Sequence, residues 1–176
     1  MDKRIEENKR VKDEIANAFF ALLKQKRSDE ISVTEIANRA KVSRMAYYRN
    51  FQTKVDIIDY YLSEVIWSDI ISAALDDNPK FWTYEYGVVF IKVMKKHRDR
   101  ILLLDECGYA SLILKKFDQK NEELAGDMPH NSIERYKLYY ASGASFNGML
   151  EWLRGGCKES VEDMAKSMSE FNGITS

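Results

Sequence analysis

A cluster of cationic side chains in the first third of the chain is the clearest candidate for chemistry. Residues 36–55 contain no acidic residue and five basic ones: Arg39, Lys41, Arg44, Arg49 and Lys54. Guanidinium and ammonium groups bind phosphate oxygens, and arginine can also bind the acceptor edge of guanine. Such a stretch is suited to a polyanionic partner, although a solvated helix face has a similar composition.

The charge of the whole chain hides this cluster. The 176 residues include 27 Lys and Arg against 28 Asp and Glu, which gives a formal net charge of -1. Residues 1–60 contain 13 basic and 10 acidic side chains, whereas residues 61–176 contain 14 and 18. The positive excess therefore lies in the first part of the chain, and a polyanion is expected to bind there.

The composition excludes several classes of protein. With 45% hydrophobic and 12% aromatic residues, the chain can bury a core and is not intrinsically disordered. Its two cysteines, Cys107 and Cys157, are too far apart in sequence for a zinc knuckle, so we expect no metal and no cofactor. No apolar run reaches the roughly 18 residues that a membrane helix needs, and no secretory signal is present. We expect a soluble, cytoplasmic protein with no membrane partner.

No motif in the sequence predicts an enzyme. There is no glycine-rich phosphate loop, no nucleophile elbow and no H-E-x-x-H pair. His97 and His130 are isolated from the cysteines and from each other. Asp105 and Glu106 are adjacent, so on a helix their side chains would point about 100° apart. We therefore expect no catalytic site.

Apolar residues that recur every three or four positions predict helices along most of the chain. Val11, Ile15 and Phe19 indicate a first helix of about two dozen residues, and later long helices are indicated over residues 58–70, 81–95 and 133–152. Residues 31–36 and 88–93 could be strands by composition, but they lack hairpin partners. The sequence therefore predicts an all-α fold of about nine helices.

Helix start signals recur at short intervals between residues 27 and 61. Ser32 and Glu35 form a capping box, Ser43 is a second N-cap candidate, and Thr53 with Asp56 repeats the capping-box pattern. Three helix starts so close together predict a helix-turn-helix followed by a supporting helix.

The second of these short helices has one face suited to a nucleic-acid duplex. We expect Ile36, Ala37 and Tyr47 to be buried where the two helices cross. The opposite, outward face then contains Arg44, Met45, Tyr48 and Arg49. Because an α-helix fits the major groove of DNA, these side chains could reach base edges and phosphates.

The segment that contains these helices resembles a known family. Residues 32–54, SVTEIANRAKVSRMAYYRNFQTK, resemble the DNA-binding domain of TetR-family transcriptional regulators, with the consensus T-V-x-x-I-A-x-x-A-G-V-S-x-x-x-[LF]-Y-x-[HY]-F-x-x-K. The sequence departs from this pattern at Lys41, where the family usually has glycine. If its φ is positive, lysine costs about 1 kcal/mol more than glycine there, and its side chain could add a phosphate contact.

The resemblance implies a division of the chain and a set of contacts. Residues 1–54 would form a helix-turn-helix DNA-binding domain, and residues 55–176 a helical ligand-binding and dimerisation domain. Base edges would be contacted by Arg44, Met45, Ala46 and Arg49, and phosphates by Thr34, Tyr48, Asn50 and Lys54. The family binds as a homodimer, with recognition helices in successive major grooves about 34–36 Å apart, so a pseudo-palindromic operator is implied.

The C-terminal part resembles one TetR subgroup, which includes the dihydroxyacetone-kinase operon activator. Residues 152–164 follow the pattern W-L-x-x-G-x-x-E-S-x-E-[ED]-M. In the family this helix pair forms a four-helix dimer bundle. The implied interface residues are Gly143, Phe146, Met149, Trp152, Met164 and Met168. A core that is closed within one chain would explain the same apolar residues.

The resemblance also implies an effector pocket between the middle helices. Its candidate residues are Trp67, Trp82, Tyr86, Phe90, Cys107 and Tyr109, although aromatic residues at helical spacing also form ordinary cores. We therefore expect a DNA-binding repressor that a small-molecule effector releases or modulates. The alternative is a TetR-like co-activator or interaction protein that acts mainly through a protein partner.

Overall fold

The computed structural model describes residues 3–74, 83–126 and 128–171, and all regular secondary structure in these ranges is helical. The helices are α1 (Lys3–Leu23), α2 (Val33–Arg39), α3 (Arg44–Asn50), α4 (Lys54–Tyr60), α5 (Trp67–Ala74), α6 (Tyr84–Lys96), α7 (Arg98–Glu106), α8 (Ala110–Ala125), α9 (Ile133–Arg154) and α10 (Val161–Phe171). A π-helical segment, Tyr61–Ile66, joins α4 to α5. When α4, the π-helical segment and α5 are counted as one continuous helix, the described ranges contain nine helices. The expected all-α class is confirmed.

The chain divides into two units, residues 1–64 and 65–176. The first unit includes all of α4, whereas the boundary expected from the sequence, at 54/55, falls at the start of that helix. The reason is packing: α4 lies against α1 and buries Ile57 and Ile58. In addition, the Tyr60 hydroxyl donates a hydrogen bond to Asp13 of α1, at 2.8 Å.

Side-chain caps set the starts of the short helices in the first unit. The Ser32 hydroxyl accepts from the Glu35 backbone N–H at 3.2 Å, and the Glu35 carboxylate accepts from the Ser32 N–H at 2.9 Å. Ser43 caps α3 by accepting from the Ala46 N–H at 3.0 Å. Thr53 starts α4 with the same reciprocal arrangement as Ser32. All three starts predicted from the sequence are confirmed.

The turn between α2 and α3 has the hydrogen bonds of a Schellman motif. The Val42 N–H donates to the Ala37 carbonyl at 3.0 Å, and the Lys41 N–H donates to the Asn38 carbonyl at 3.1 Å. This geometry places Lys41 at φ 55°, in the left-handed region. Lysine therefore has the conformation for which glycine is usual, at a cost of about 1 kcal/mol.

In the second unit, α6 and α10 approach closely at Gly87. A Cβ atom added at Gly87 would lie 2.8 Å from the Met168 methyl carbon and 3.4 Å from Ala165 Cβ. The helix α9 ends at Gly155 and Gly156, the latter at φ 88°. The following α10 starts after Ser160, whose hydroxyl accepts from the Asp163 N–H at 3.0 Å.

Candidate functional site

The outward face of α3 has the composition expected from the sequence. Arg44, Met45, Tyr48 and Arg49 are exposed, and Met45 exposes 76% of its surface. Tyr47 points the other way and is fully buried. Its ring contacts that of Phe51, with centroids 6.2 Å apart. The helix is thus anchored by one aromatic face and leaves its cationic face to solvent.

Three cations elsewhere in the same unit are neutralised within the chain. Arg10 lies 2.6 Å from a Glu7 carboxylate oxygen and 2.5 Å from one of Glu14. Lys26 is paired with Glu35, and Arg27 with Asp29. By contrast, four exposed cations of the helix-turn-helix have no ion-pair partner among the described residues: Arg39, Lys41, Arg44 and Arg49. Their charge is available to a partner outside the chain.

The residues expected to contact phosphates differ in their exposure and in the hydrogen bonds they already make within the chain. Thr34 and Tyr48 are exposed. Asn50 is half-buried, and its side-chain amide donates to the Ala46 carbonyl at 2.8 Å. The half-buried Lys54 ammonium donates to the Ile31 carbonyl at 3.0 Å and also to that of Ser28. Lys54 therefore holds the segment before α2 against α4, and a phosphate would have to compete with these carbonyls.

The capping carboxylate of α2 is held in its charged form. A hydrogen bond from Lys26 and two from Ser32 lower the pKa of Glu35 to about 2. The charge also lies in the first turn of α2, where the helix dipole favours it. At neutral pH this cap therefore stays intact and fixes the start of α2.

Sequence reasoning missed a basic pair beside α3. Lys3 and Arg4, at the start of α1, line a groove of about 850 Å³ that also contains Ala46, Arg49 and Asn50 of α3. The signal in the sequence is the adjacent pair of cations. Its position beside α3 depends on how α1 and α3 pack, and the spacing of residues does not show that.

The second unit contains an aromatic cavity. Its lining consists of Trp67, Tyr86, Phe90, Phe117, Asn121, Ser142, Ser145, Phe146 and Met168. Three candidates from the sequence, Trp67, Tyr86 and Phe90, therefore lie together, and their assignment to an effector stays a prediction. Cys107 and Tyr109 do not line the cavity, because they lie in the turn between α7 and α8. Trp82 lies outside the described residues.

The cavity is small and has one polar edge. Its volume is about 20 Å³, room for about one water molecule. Asn121, Ser142 and Ser145 supply the polar groups, and the Ser142 hydroxyl donates to Asp118 at 2.5 Å. Burial raises the pKa of Tyr86, so its hydroxyl stays neutral at physiological pH. The described lining thus contains no charged side chain.

The residues of the expected dimer interface differ in how much of their surface is accessible in the single chain. Phe146, Met149 and Trp152 are buried within the single chain, at 3%, 1% and 5% exposed. They lie on the side of α9 that packs inside the unit. They therefore belong to the core of the single chain and offer little surface to a partner. Gly143, Met164 and Met168 are half-buried, and only these three of the expected interface residues keep accessible surface.

The accessible side of α9 carries a different set of residues. Ile133, Tyr136 and Tyr140 are exposed, and Tyr140 exposes 74% of its surface. At 100° per residue they share one face with Ala144 and Asn147. A Cβ atom added at Gly143 or Gly148 would meet no atom of the described residues within 4 Å. This face therefore combines apolar rings with open backbone.

The described ranges contain neither a metal-binding cluster nor a membrane-spanning helix. Within residues 3–74, 83–126 and 128–171, no group of three or more His, Cys, Asp or Glu side chains is placed to hold a metal ion. No described helix is both long and apolar enough to span a bilayer.

Comparisons with known proteins identify the fold. No family model matches the sequence, and no curated protein matches it. A TetR transcriptional regulator from Streptococcus agalactiae is similar in structure, with a TM-score of 0.67 and 20% sequence identity over 96% of this chain and 97% of that one.

Two further solved structures are similar at 16% identity. The dihydroxyacetone kinase operon activator DhaS has a TM-score of 0.60, over 92% of this chain and 93% of its own. The fatty acid degradation regulator FadR from Bacillus halodurans has a TM-score of 0.53, over 92% and 94%. The protein therefore has the fold of the TetR-type transcriptional regulators.

Proposed function

We propose that this protein is a cytoplasmic, DNA-binding transcriptional regulator of the TetR family. The observation that carries the proposal is the exposed face of α3, where Arg44 and Arg49 have no ion-pair partner in the described chain. A guanidinium group without a carboxylate partner is free to bind guanine or phosphate. The buried Tyr47 ring fixes the orientation of this face, so the cations are presented on a rigid helix.

The contacts are assigned residue by residue. Base edges are contacted by Arg44, Met45, Ala46 and Arg49, and phosphates by Thr34, Tyr48, Asn50 and Lys54. Arg44 lies in the first turn of α3, where a helix inserted into the groove approaches the bases most closely. Met45 offers an apolar surface for a thymine methyl group.

A homodimer supplies the two copies of α3 that a pseudo-palindromic operator needs. The exposed face of α9 supports this part of the proposal, since Tyr136 and Tyr140 lie beside backbone that no described residue covers. Gly148→Arg should give a monomer in sedimentation analysis while its unfolding temperature stays near that of the parent protein, because the new side chain projects into open space. A dimer that survives this change would contradict the assigned face.

The cavity of the second unit is the proposed effector site. Ligand pockets usually measure about 300–1,000 Å³, so the aromatic rings have to move apart for an effector to enter. Its apolar, uncharged lining suits a neutral, largely apolar molecule with one hydrogen-bonding group. Such a molecule acts as an effector only if it binds one conformation of the dimer more tightly than the other.

Repression is the proposed sign of regulation, and one comparison favours a second candidate. The structural neighbour DhaS is named as an operon activator. A co-activator or interaction protein that works through a protein partner would keep the fold without binding an operator strongly. The two candidates differ in whether the protein binds duplex DNA by itself.

Selection of bound duplexes from a random-sequence pool tests the proposal. A DNA-binding dimer should enrich a pseudo-palindrome whose half-sites are one helical turn, about 10–10.5 base pairs, or a multiple of it apart. Arg44→Ala should relax the preference at one position in each half-site, and Arg154→Ala, which removes a cation from the second unit, should leave it unchanged. Failure of the parent protein to enrich any sequence would contradict the proposal and favour the interaction protein.

A further inference from the structure

Two exposed cations lie at the turn between α2 and α3, one at the end of α2 and one within the turn. Neither is among the DNA contacts assigned above. Arg39 ends α2, and Lys41 follows it by two residues; we call this pair the turn patch. Both side chains are exposed, and neither has an ion-pair partner in the part of the chain that the structure describes. They line a groove of about 490 Å³ together with residues of α1.

The groove does not neutralise the turn patch. Its acidic side chain, Glu14, lies 2.5 Å from Arg10 and is already bound to it. Arg10 is also bound to Glu7, so this part of α1 presents a closed ion-pair network. The charges of Arg39 and Lys41 therefore remain available to an external anion.

The backbone conformation at Lys41 is a second indication that its side chain has a role. Its φ of 55° is a conformation that glycine adopts freely and lysine adopts only at a cost. Strained backbone often persists where the side chain has a function. Here the side chain that glycine would lack is a long cation, two residues before the N-cap of α3.

The position of the turn patch fits one partner. Consecutive Cα atoms can extend at most about 3.6 Å per residue, so the Lys41 Cα lies within about 11 Å of the Arg44 Cα. The major groove is about 12 Å wide and is bordered by phosphates on both sides. When Arg44 is inside the groove, a phosphate that borders the groove therefore lies within the distance that the backbone and the long Lys41 side chain can span, and Arg39 is two residues from Lys41.

We propose that Arg39 and Lys41 bind the DNA phosphate backbone at the edge of the groove that α3 enters. The inference rests on the proposed function and adds a phosphate-binding surface to it. Backbone contacts carry no sequence information, so the turn patch contributes affinity and salt dependence without changing the preferred operator.

Lys41→Gly provides the test, because it removes the cation and the backbone strain together. With the duplex that the parent protein selects, the plot of log affinity against log salt should become less steep by about 0.9 for each lost contact, or about 1.8 per dimer. The thermal midpoint should stay the same or rise by a few degrees, which shows that the variant folds. Arg39→Gln should reduce the salt slope in the same way, and Lys41→Arg should preserve it.

Cys157→Gly is the matched control. Cys157 also has a left-handed backbone, at φ 56°, but it lies in the second unit after α9. Glycine there relieves the same kind of strain and should leave the salt slope unchanged. If the salt slope of Lys41→Gly equals that of the parent protein, the proposal that the turn patch binds phosphate is overturned. A parent protein that binds no duplex would overturn the proposed function as well.

Discussion

In the helix-turn-helix, the exposed Arg44 and Arg49 have no ion-pair partner in the described chain, whereas two cations of the second unit each join one of its helices to another. There, Arg154 lies 2.7 Å from Asp105, which joins α9 to α7, and Lys96 lies 2.7 Å from Asp69, which joins α6 to α5. The same residue types thus serve different purposes. The cations on the outer face of α3 are left unpaired, and Arg154 and Lys96 connect helices.

The aromatic residues differ in a parallel way. In the first unit, Tyr47, Phe51 and Tyr60 form a chain of ring contacts that holds α3 and α4. In the second, Phe90, Phe117 and Phe146 meet edge to face around a cavity, with centroids 5.5–5.8 Å apart. The proposed DNA-binding surface of the first unit is therefore on its outside, and the candidate effector site of the second is inside.

Phe146→Ala should have the largest effect, because it removes a ring from the interior of the second unit. The loss of a buried phenyl group should lower the free energy of unfolding by about 3–5 kcal/mol in denaturant titrations. Phe171→Ala, at a position 71% exposed, should change it by less than about 0.5 kcal/mol. If Phe146→Ala instead left stability intact and abolished dimerisation, the residue would be an interface residue, as the family resemblance implies.

Arg44→Ala and Arg154→Ala compare the two uses of charge directly. Loss of Arg44 should weaken binding to the selected duplex by about 1–3 kcal/mol per half-site and leave the unfolding temperature unchanged. Loss of Arg154 should lower the unfolding temperature, because Asp105, with only 12% of its side chain exposed, loses its partner. Binding titrations and thermal unfolding of both variants give the answer. The contrast between the units fails if Arg154→Ala weakens DNA binding as much as Arg44→Ala.

Tyr47→Phe should stabilise the first unit. The Tyr47 hydroxyl is buried and has no hydrogen-bond partner among the described residues, and burial raises its pKa to about 12. Removing an unsatisfied hydroxyl should raise the free energy of unfolding by about 1 kcal/mol. Denaturant unfolding of the two proteins measures the difference. A clear loss of stability would mean that the hydroxyl is satisfied in solution.

The smallest expected effect is a pH dependence at the cap of α2. The folded-state pKa of Glu35, about 2, is below its ordinary value of 4.5. The stability that this carboxylate contributes is therefore complete above about pH 4.5 and is lost as the pH falls towards 2. In thermal unfolding followed over that range, Glu35→Gln should show a shallower decline than the parent protein. If the unfolding temperatures of the two proteins decline identically, Glu35 does not cause the pH dependence.

Local signals made the first unit predictable. Ser32, Ser43 and Thr53 determine helix starts through bonds that span three residues, so the sequence alone contains the information. Similarly, Ala37 and Tyr47 are buried as their positions in the helix-turn-helix indicated. The positive φ of Lys41 follows from the turn that the two helices require.

Tertiary packing made the second unit harder to predict. Helical periodicity shows that Phe146 and Trp152 lie on an apolar face, but it does not show whether the same chain or a second copy covers that face. The resemblance implies a pocket to which Cys107 and Tyr109 could contribute, but it does not show that their turn lies outside the cavity lining. Likewise, the bond from Lys54 to the Ile31 carbonyl joins residues far apart in sequence, and no local pattern predicts it.

Methylation interference on the selected duplex tests the central claim most directly. Methylation of guanine N7 blocks the major-groove edge that arginine binds. If Arg44 and Arg49 read that edge, methylated guanines in two half-sites related by two-fold symmetry should be excluded from the bound DNA, and Arg44→Ala should lose part of this pattern. Interference at adenine N3 in the minor groove alone, or no interference at any base, would contradict the account.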